Sequence, residues 1–288
     1  MGMITIETRK PVAYDSPDHL HPSGTAENNT TNRRFNNKLL RYIPPQKVKL
    51  LDIGCAGGGL VKSILDAGGF AVGIEGSDYS QKIGRAEWAT IPDHLFTADV
   101  TEPFALFEQS PSGERRPLRF NVITAWEFFE HIAEAHLAGV VENILRHLAP
   151  GGIVLASIAT YPIVLDGFTL HQTVHEKPWW VDRFAQLGLA QCAEVERYFH
   201  YDWLRGSPDW SPRFWSFAIA LTRAGEAPID ADRLRRLRLR NLPYEVARTV
   251  YRLRRRVWYA MPPSWQSILT ERWTAMRRAV RSRGVAPS

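Results

Sequence analysis

A glycine-rich turn and two later carboxylates are the residues best suited to bind a small molecule. The turn, Leu51-Asp-Ile-Gly-Cys-Ala-Gly-Gly-Gly59, follows an apolar segment that predicts a buried strand. Glycines let the backbone turn sharply and approach a ligand where a Cβ atom would collide. Glu75 ends the second predicted strand and Asp99 follows the third. These carboxylates are placed to accept hydrogen bonds from ribose hydroxyls and from an adenine amino group, respectively.

A second group of candidate residues combines two carboxylates with an imidazole. Glu127, Glu130 and His131 are spaced i, i+3 and i+4, which places them on one face if the segment forms a helical turn. Such a group needs a cation or a hydrogen-bond network to offset repulsion and desolvation. One hypothesis is therefore a divalent metal ion (Mg, Mn or Zn) on Glu127, Glu130, His131 and a later histidine, either His171 or His175. The alternative is that the Glu-His pair is structural or lines a pocket without metal.

Three histidines are candidates for catalysis: His131, His171 and His175. Each is able to act as a general base toward a substrate hydroxyl, because imidazole titrates near neutrality. A divalent ion at the same place would instead bind the hydroxyl and lower its pKa. We expect at least one of the three to be catalytic.

Apolar strands that alternate with helices must position these residues. Such alternation predicts parallel pairing, with helices covering both faces of the sheet. We therefore predict an α/β fold with a doubly wound, mostly parallel, seven-stranded sheet closed by an antiparallel pair. The predicted strands are 48–53, 70–74, 95–98, 120–125, 153–158, 195–201 and 214–221, and the predicted helices are 33–42, 60–67, 79–89, 133–148 and 179–187.

The order of these motifs resembles that of class I S-adenosylmethionine-dependent methyltransferases. The shared features are Asp-x-Gly-x-x-x-Gly from Asp52, the acids after strands two and three, and Leu148-Ala-Pro-Gly-Gly152 before strand five. The pattern covers residues 45–160 and is similar to that of ubiquinone-biosynthesis O-methyltransferases. It implies a Rossmann-like methyltransferase fold and an enzyme of class EC 2.1.1.-. By this resemblance, S-adenosylmethionine contacts Asp52, Gly54, Cys55, Gly57, Glu75, Gly76, Asp99, Val100, Trp126 and Glu127.

The Glu-x-x-Glu-His pattern also resembles metal-assisted members of this family, among them small-RNA 3′-terminal 2′-O-methyltransferases.

Other nucleotide-binding motifs fit the sequence less well. A nicotinamide site would have Gly-x-Gly-x-x-Gly, and a Walker P-loop would have Gly-Lys-Ser/Thr; neither follows the first strand.

Charge divides the chain into a mildly acidic body and a strongly basic tail. The net charge of the 288 residues is +6, yet from Arg223 onward there are 16 Arg, no Lys and five acidic residues. This split marks a boundary. We predict an N-terminal arm or lid over 1–44, a methyltransferase domain over 45–222 with an acceptor-binding insert at about 161–215, and a basic helical extension over 223–288.

Three interpretations of the basic tail stay open: packing on the acidic body or an oligomer partner, peripheral contact with a membrane surface, and RNA binding. The sequence contains no run of eighteen apolar residues, so we expect no membrane-spanning helix. The two cysteines and the absence of a signal-like N-terminus indicate a cytoplasmic protein, peripheral to the inner membrane surface under the second interpretation.

The function expected from the sequence is methylation of a hydroxyl group. Tryptophans 179, 180, 203, 210 and 215 follow the cofactor motifs and suit a carbohydrate or another flat acceptor. We therefore expect a sugar, glycan or small-molecule acceptor. One alternative is an RNA 2′-O-methyltransferase whose tail binds nucleic acid, and another is a non-catalytic scaffold that keeps the cofactor fold.

Overall fold

The computed structural model describes residues 2–22, 26–200, 202–205, 216–262 and 264–267. The chain forms two compact units that meet in sequence between Arg235 and Arg236. In the described part of the chain, no helix is long and apolar enough to cross a membrane.

The secondary structure alternates strands with helices through most of the first unit. The strands are β1 (Met3–Thr8), β2 (Lys49–Ile53), β3 (Phe70–Glu75), β4 (Leu95–Thr97), β5 (Phe104–Gln109), β6 (Arg115–Pro117), β7 (Phe120–Trp126), β8 (Leu148–Ala159), β9 (Val164–Leu165), β10 (Phe168–Thr169), β11 (Leu189–Gln191) and β12 (Ser216–Arg223). The α-helices are α1 (Pro17–Leu20), α2 (Arg33–Tyr42), α3 (Gly59–Asp66), α4 (Tyr79–Lys82), α5 (Leu137–His147), α6 (Lys177–Gln186), α7 (Ala193–Phe199) and α8 (Ala231–Ala260).

A seven-stranded sheet forms the centre of the first unit, in the order β11-β12-β8-β7-β2-β3-β4. The pairs β8-β7, β7-β2, β2-β3 and β3-β4 are parallel, and β12 is antiparallel to both of its neighbours. The chain continues outward from β2 to β3 and β4, and then crosses to β7 on the other side of β2. The carboxyl ends of β2 and β7 therefore meet at the topological switch point, where open α/β sheets bind ligands. This architecture confirms the predicted Rossmann-like methyltransferase fold.

Burial explains why the central strands are nearly all apolar. Leu50, Leu51 and Ile53 on β2 are fully buried, as are Ile123 and Ala125 on β7. Parallel strands covered by helices on both faces have no solvent face, so apolar residues follow one another without alternation. The buried polar residues of these two strands, Asp52 and Thr124, lie near the carboxyl ends, where the site forms.

Two elements differ from their predictions. The predicted helix over 79–89 is only the four-residue α4, because Gly84 at φ +58° breaks it before a 3₁₀ turn over Ala86–Ala89. The predicted strand over 195–201 is wrong, since these residues lie largely in α7. Its buried Val195, Tyr198 and Phe199 are spaced as on one helical face, and β11 pairs with β12 instead.

Six strands were not predicted, namely β1, β5, β6, β9, β10 and β11. β1, from the polar N-terminal arm, pairs antiparallel with β5, and β5 pairs with β6 in a separate three-stranded sheet. β6, β9, β10 and β11 have only two or three residues, too few for a periodic pattern to show. β1 does alternate Ile4 and Ile6 with polar residues, but it lies in a segment that is otherwise polar and turn-rich.

A buried histidine joins this small sheet to α5. His147 is 2% exposed, and its Nε2 accepts a hydrogen bond from the Leu106 N–H at 3.2 Å. Its Nδ1 lies 2.8 Å from the Asn143 carbonyl oxygen, which requires the proton on Nδ1. Both nitrogens are thus used by the neutral ring, and burial lowers the pKa of His147 to about 4.

The stability of the fold should therefore depend on pH through His147. Because its pKa in the folded state lies below the ordinary 6.5, its contribution is complete above pH 6.5 and is lost as pH falls toward 4. We expect the free-energy difference of unfolding between wild type and His147→Gln to shrink by about 2 kcal/mol from pH 7 to pH 5. Urea unfolding of both proteins at the two pH values measures this. A difference independent of pH would contradict the neutral assignment.

Candidate active site

A cavity of about 320 Å³ opens at the carboxyl ends of the central strands. Most of the predicted site residues line it. From the predicted cofactor set these are Asp52, Gly54, Cys55, Glu75, Gly76, Asp99, Val100, Trp126 and Glu127, and from the predicted catalytic set His131 and His171. Gly57, Glu130 and His175 are not among the lining residues.

The glycine-rich turn after β2 has an unusual backbone. Gly54 and Gly58 have φ values of +72° and +85°, and Ala56 between them has φ +47°. A non-glycine residue in this region is strained unless its surroundings hold it there. Two hydrogen bonds hold Ala56 in this conformation. The Glu75 carboxylate accepts one from the Ala56 N–H at 2.7 Å, and the Trp88 indole donates the other to the Ala56 carbonyl at 2.8 Å.

Glu75 thus has a role that its position after the second strand did not reveal. Its other oxygen accepts hydrogen bonds from the backbone N–H groups of Gly76 and Ser77 at 3.0 and 3.4 Å. Burial raises the pKa of Glu75, and the Ala56 and Ser77 N–H groups act in the opposite direction by stabilising the carboxylate. The side chain therefore both faces the cavity and orients the turn.

Asp52 is the most deeply placed of the three acids. It is 4% exposed, and the Thr124 hydroxyl donates to its Oδ1 at 2.6 Å. Burial raises the pKa of Asp52 to about 7, although the Thr124 hydrogen bond lowers it. Its register opposite Thr124 follows from the parallel pairing of β2 with β7.

Asp99 lies beyond β4 and turns back on its own loop. Its Oδ1 accepts hydrogen bonds from the Thr101 N–H at 3.0 Å and from the Thr101 hydroxyl at 2.6 Å. Its Oδ2 lies 3.6 Å from Lys10 Nζ. The strand ends therefore bring Asp52, Glu75 and Asp99 to one cavity, as the sequence predicted.

A segment of the N-terminal arm lies over the glycine-rich turn. The Asn28 carbonyl accepts the Gly57 N–H at 3.0 Å, and a Cβ on Gly57 would lie 2.6 Å from Asn29 Oδ1. Gly57 is thus required by the close approach of this segment. Arg205, which lines the cavity, reaches the same segment through hydrogen bonds to Asn28 Oδ1 and to Thr30 Oγ1.

The helical turn expected over 127–131 does not form as predicted. Glu127 has φ +49°, and only Phe129–His131 forms a 3₁₀ turn. Of the four predicted metal ligands, Glu127 lies outside the group that the described residues bring together, and the binding of a metal ion stays a prediction. Glu130, His131 and His171 do lie together, with one ligand atom of each within 4.8 Å of the others.

Glu130 lies behind the cavity wall. It is fully buried, and one oxygen accepts the Ala159 N–H at 2.7 Å while Oε2 has no hydrogen-bond partner among the described residues. Burial raises the pKa of Glu130 to about 7, and the adjacent His131 lowers it.

His131 contacts an acid from the N-terminal arm. Its Nδ1 lies 2.9 Å from Oδ2 of Asp18, in helix α1. Burial alone would lower the pKa of His131, but the carboxylates of Asp18, Glu130 and Glu127 outweigh burial and raise it. Asp18 was not identified in the sequence, because it is 113 positions away and lies in a polar, turn-rich segment.

The two later histidines have different surroundings. His171 Nδ1 lies 2.6 Å from the Tyr161 carbonyl, which fixes the proton on Nδ1 and leaves Nε2 as an acceptor. Burial lowers the pKa of His171, and the nearby His131 acts in the same direction. His175 instead stacks on Trp179 with ring centroids 3.9 Å apart, outside the cavity lining.

The tryptophans do not form an acceptor platform in the described part of the chain. Trp180 is fully buried and Trp203 is 7% exposed, and neither lines the cavity, nor does Trp179. Trp210 and Trp215 lie outside the described residues. From the predicted insert, the cavity instead receives Tyr161, Ile163, Leu170, His171, Leu204 and Arg205.

Comparisons with known proteins give a consistent family match. Residues 27–200 match the family described as a methyltransferase domain. Ubiquinone biosynthesis O-methyltransferases from Thiobacillus denitrificans and Methylococcus capsulatus are 30% and 31% identical over 109 residues, 38% of this chain. The match spans less than half of those relatives, 43% and 42% of their lengths.

Solved structures with a similar chain path include two bacterial methyltransferases. A TehB-like S-adenosylmethionine-dependent methyltransferase from Corynebacterium glutamicum has a TM-score of 0.46 at 15% identity, covering 71% of this chain and 94% of its own. An S-adenosylmethionine-dependent methyltransferase from Clostridium acetobutylicum has a TM-score of 0.47 at 10% identity, covering 74% and 96%.

The contact between the arm and His131 yields a direct test. Asp18→Asn removes the carboxylate that raises the pKa of His131, so we expect that pKa to fall. Titration of the histidine ring protons by NMR measures it. Asp15→Asn, the same change at an exposed position of the same arm, should leave the titration unaltered. An unchanged His131 pKa in Asp18→Asn would show that the contact is absent in solution.

Proposed function

Because the chain belongs to the methyltransferase domain family, we propose that its cavity binds S-adenosylmethionine and that the protein methylates a hydroxyl group. One observation carries the cofactor part of the proposal. Asp52, Glu75 and Asp99, each at or just beyond the end of a neighbouring strand, all line one cavity with the glycine-rich turn. This is the place at which doubly wound sheets bind nucleotide-like ligands.

Each part of the cofactor has a chemically suitable partner. The Glu75 carboxylate is an acceptor for the ribose hydroxyls, and Asp99 is an acceptor for the adenine amino group. The Arg205 guanidinium, held by Asn28 and Thr30, is a donor suited to the carboxylate of the methionine part. Arg205 was not singled out in the sequence, since an isolated Arg in a loop has no distinguishing pattern.

Loss of the Glu75 charge should weaken cofactor binding. We expect Glu75→Gln to lower the affinity for S-adenosylhomocysteine about 10- to 100-fold, because hydrogen bonds to a charged acceptor contribute about 1.5–3 kcal/mol. Isothermal titration calorimetry on purified protein measures this, with Glu134→Gln as an exposed control outside the cavity. Absence of binding to the wild type would overturn the cofactor proposal.

For the chemistry, Asp18 and His131 form a suitable general base. With the Nδ1 proton directed to Asp18, His131 Nε2 is free to accept the proton of a hydroxyl. The hydroxyl oxygen then attacks the methyl carbon of the sulfonium, the carbon–sulfur bond breaks, and its electron pair stays on sulfur. The sulfonium is already activated, so the protein has mainly to align the nucleophile and remove its proton.

A divalent cation is a second way to activate the hydroxyl. The donor set fits one: Glu130 has a buried oxygen without a partner in the described chain, His171 has Nε2 available, and His131 lies beside both. Two imidazoles and a carboxylate suit Zn²⁺ or Mn²⁺ better than Mg²⁺. When bound, such an ion would lower the pKa of a hydroxyl in contact with it.

The cavity wall favours a small molecule over a glycan as acceptor. Near His131 and His171 it is formed by Ile132, Ile163 and Leu170, which suit an apolar scaffold that carries the hydroxyl. Oxygen as the acceptor atom is supported by the curated relatives, which are O-methyltransferases. The basic tail supports an alternative acceptor, the 2′-hydroxyl of RNA. RNA should therefore be tested as an acceptor beside small molecules.

Activity variants should test whether His131 and Asp18 take part in the reaction. With phenols, sugars and RNA as acceptors, and S-adenosylhomocysteine release as the readout, we expect His131→Gln to lower kcat about 100-fold or more. Asp18→Asn should shift the acid limb of the pH–rate profile to lower pH, because the His131 pKa falls. His136→Gln, exposed and outside the cavity, should have wild-type activity.

Chelation then decides between the two mechanisms. Full activity after exhaustive chelation agrees with the Asp18–His131 base. Activity that is lost on chelation and restored by Zn²⁺ or Mn²⁺ would contradict a metal-free mechanism. Cofactor binding without turnover on any acceptor would instead support the scaffold alternative.

A further inference from the structure

Helix α8 has one uninterrupted apolar stripe along an otherwise Arg-rich sequence. Within the 30-residue helix Ala231–Ala260, seven positions that recur every three or four residues fall on one face at 100° per residue. All seven are apolar over six helical turns, which a random arrangement in so basic a segment would rarely give. They are Leu239, Leu242, Val246, Val250, Leu253, Val257 and Ala260.

The stripe faces solvent along the positions whose side chains the structure describes. Exposure runs from 43% at Val250 to 71% at Leu239, and Val246, Leu253 and Val257 lie between these values. Trp265, shortly after the helix, is 62% exposed. Isolated exposed apolar residues are ordinary, but a contiguous row of them marks a surface that is covered by a partner.

The charges around the stripe indicate the chemistry of that partner. The helix contains ten Arg and two acidic residues, Asp232 and Glu245. By helical register, Arg236 and Arg254 flank the stripe on one side, and Arg238 and Arg256 flank it on the other. A row of apolar side chains between two rows of Arg matches an interface that is apolar below and anionic at its surface.

We propose that helix α8 binds the surface of an anionic lipid bilayer, with its axis in the membrane plane. The apolar stripe inserts among the upper acyl chains, and the flanking Arg residues contact lipid phosphates. A second copy of the helix fits less well, because packing two stripes together would bring the flanking Arg rows of both chains against each other. This proposal does not depend on the methyltransferase chemistry, since it concerns the second unit alone.

Vesicle binding by the full chain tests the proposal. We expect cosedimentation with vesicles of phosphatidylcholine mixed with phosphatidylglycerol, and binding about tenfold or more weaker to phosphatidylcholine alone. The double variant Val250→Asp/Val257→Asp should lower binding to the mixed vesicles about tenfold or more. Asn241→Asp/Ala247→Asp is the matched control, because it changes the net charge equally at positions off the stripe, and it should bind nearly as the wild type does. Circular dichroism of each variant establishes that the helix persists.

Three outcomes would overturn the proposal. The first is equal loss of vesicle binding in the two double variants, which would show that binding depends on net charge and not on the apolar stripe. The second is a stable dimer at micromolar concentration that the stripe variant alone dissociates, together with no vesicle binding. The third is salt-sensitive retention on RNA without retention on the mixed vesicles.

Discussion

The contact between the Glu75 carboxylate and the Ala56 amide organises the candidate active site. It holds a non-glycine residue in the left-handed region, at φ +47°, and thereby sets the path of the turn that leaves β2. The same carboxylate accepts two further backbone N–H groups. A buried acid that hydrogen-bonds to several amides stays preorganised for a ligand, because its surroundings do not need to rearrange when the ligand arrives.

The candidate site combines residues of the N-terminal arm with residues at the ends of the strands. The strand ends supply acids and a turn, whereas the Asn28 carbonyl, the Thr30 hydroxyl and the Asp18 carboxylate come from residues that precede the sheet. A cavity formed between a rigid sheet edge and a separate covering segment can exclude water from the reacting atoms. The sheet edge thus contributes Asp52, Glu75 and Asp99 to the cavity, and the arm contributes the carboxylate that lies beside His131.

The sequence was most informative where one local pattern fixes one structure. Apolar strands that follow helices at short intervals specify the parallel sheet, and the acids at the strand ends follow directly from it. Asp18 and Arg205 could not be found in this way, because their roles arise from contacts between segments distant in sequence. The helical turn expected from Glu127 to His131 failed for a different reason: the spacing of Glu127, Glu130 and His131 fits a helix, but spacing does not reveal a left-handed backbone at φ +49°.

The second unit also differs from most basic surfaces in its composition. All thirteen positive side chains from residue 236 onward are Arg, and none is Lys. A guanidinium stays protonated throughout the physiological pH range and is not a substrate for acetylation. The charge of this segment therefore cannot be switched off by acidification, alkalinisation or acyl transfer in the cell. Ionic strength and competing polyanions would still weaken any electrostatic binding by this segment.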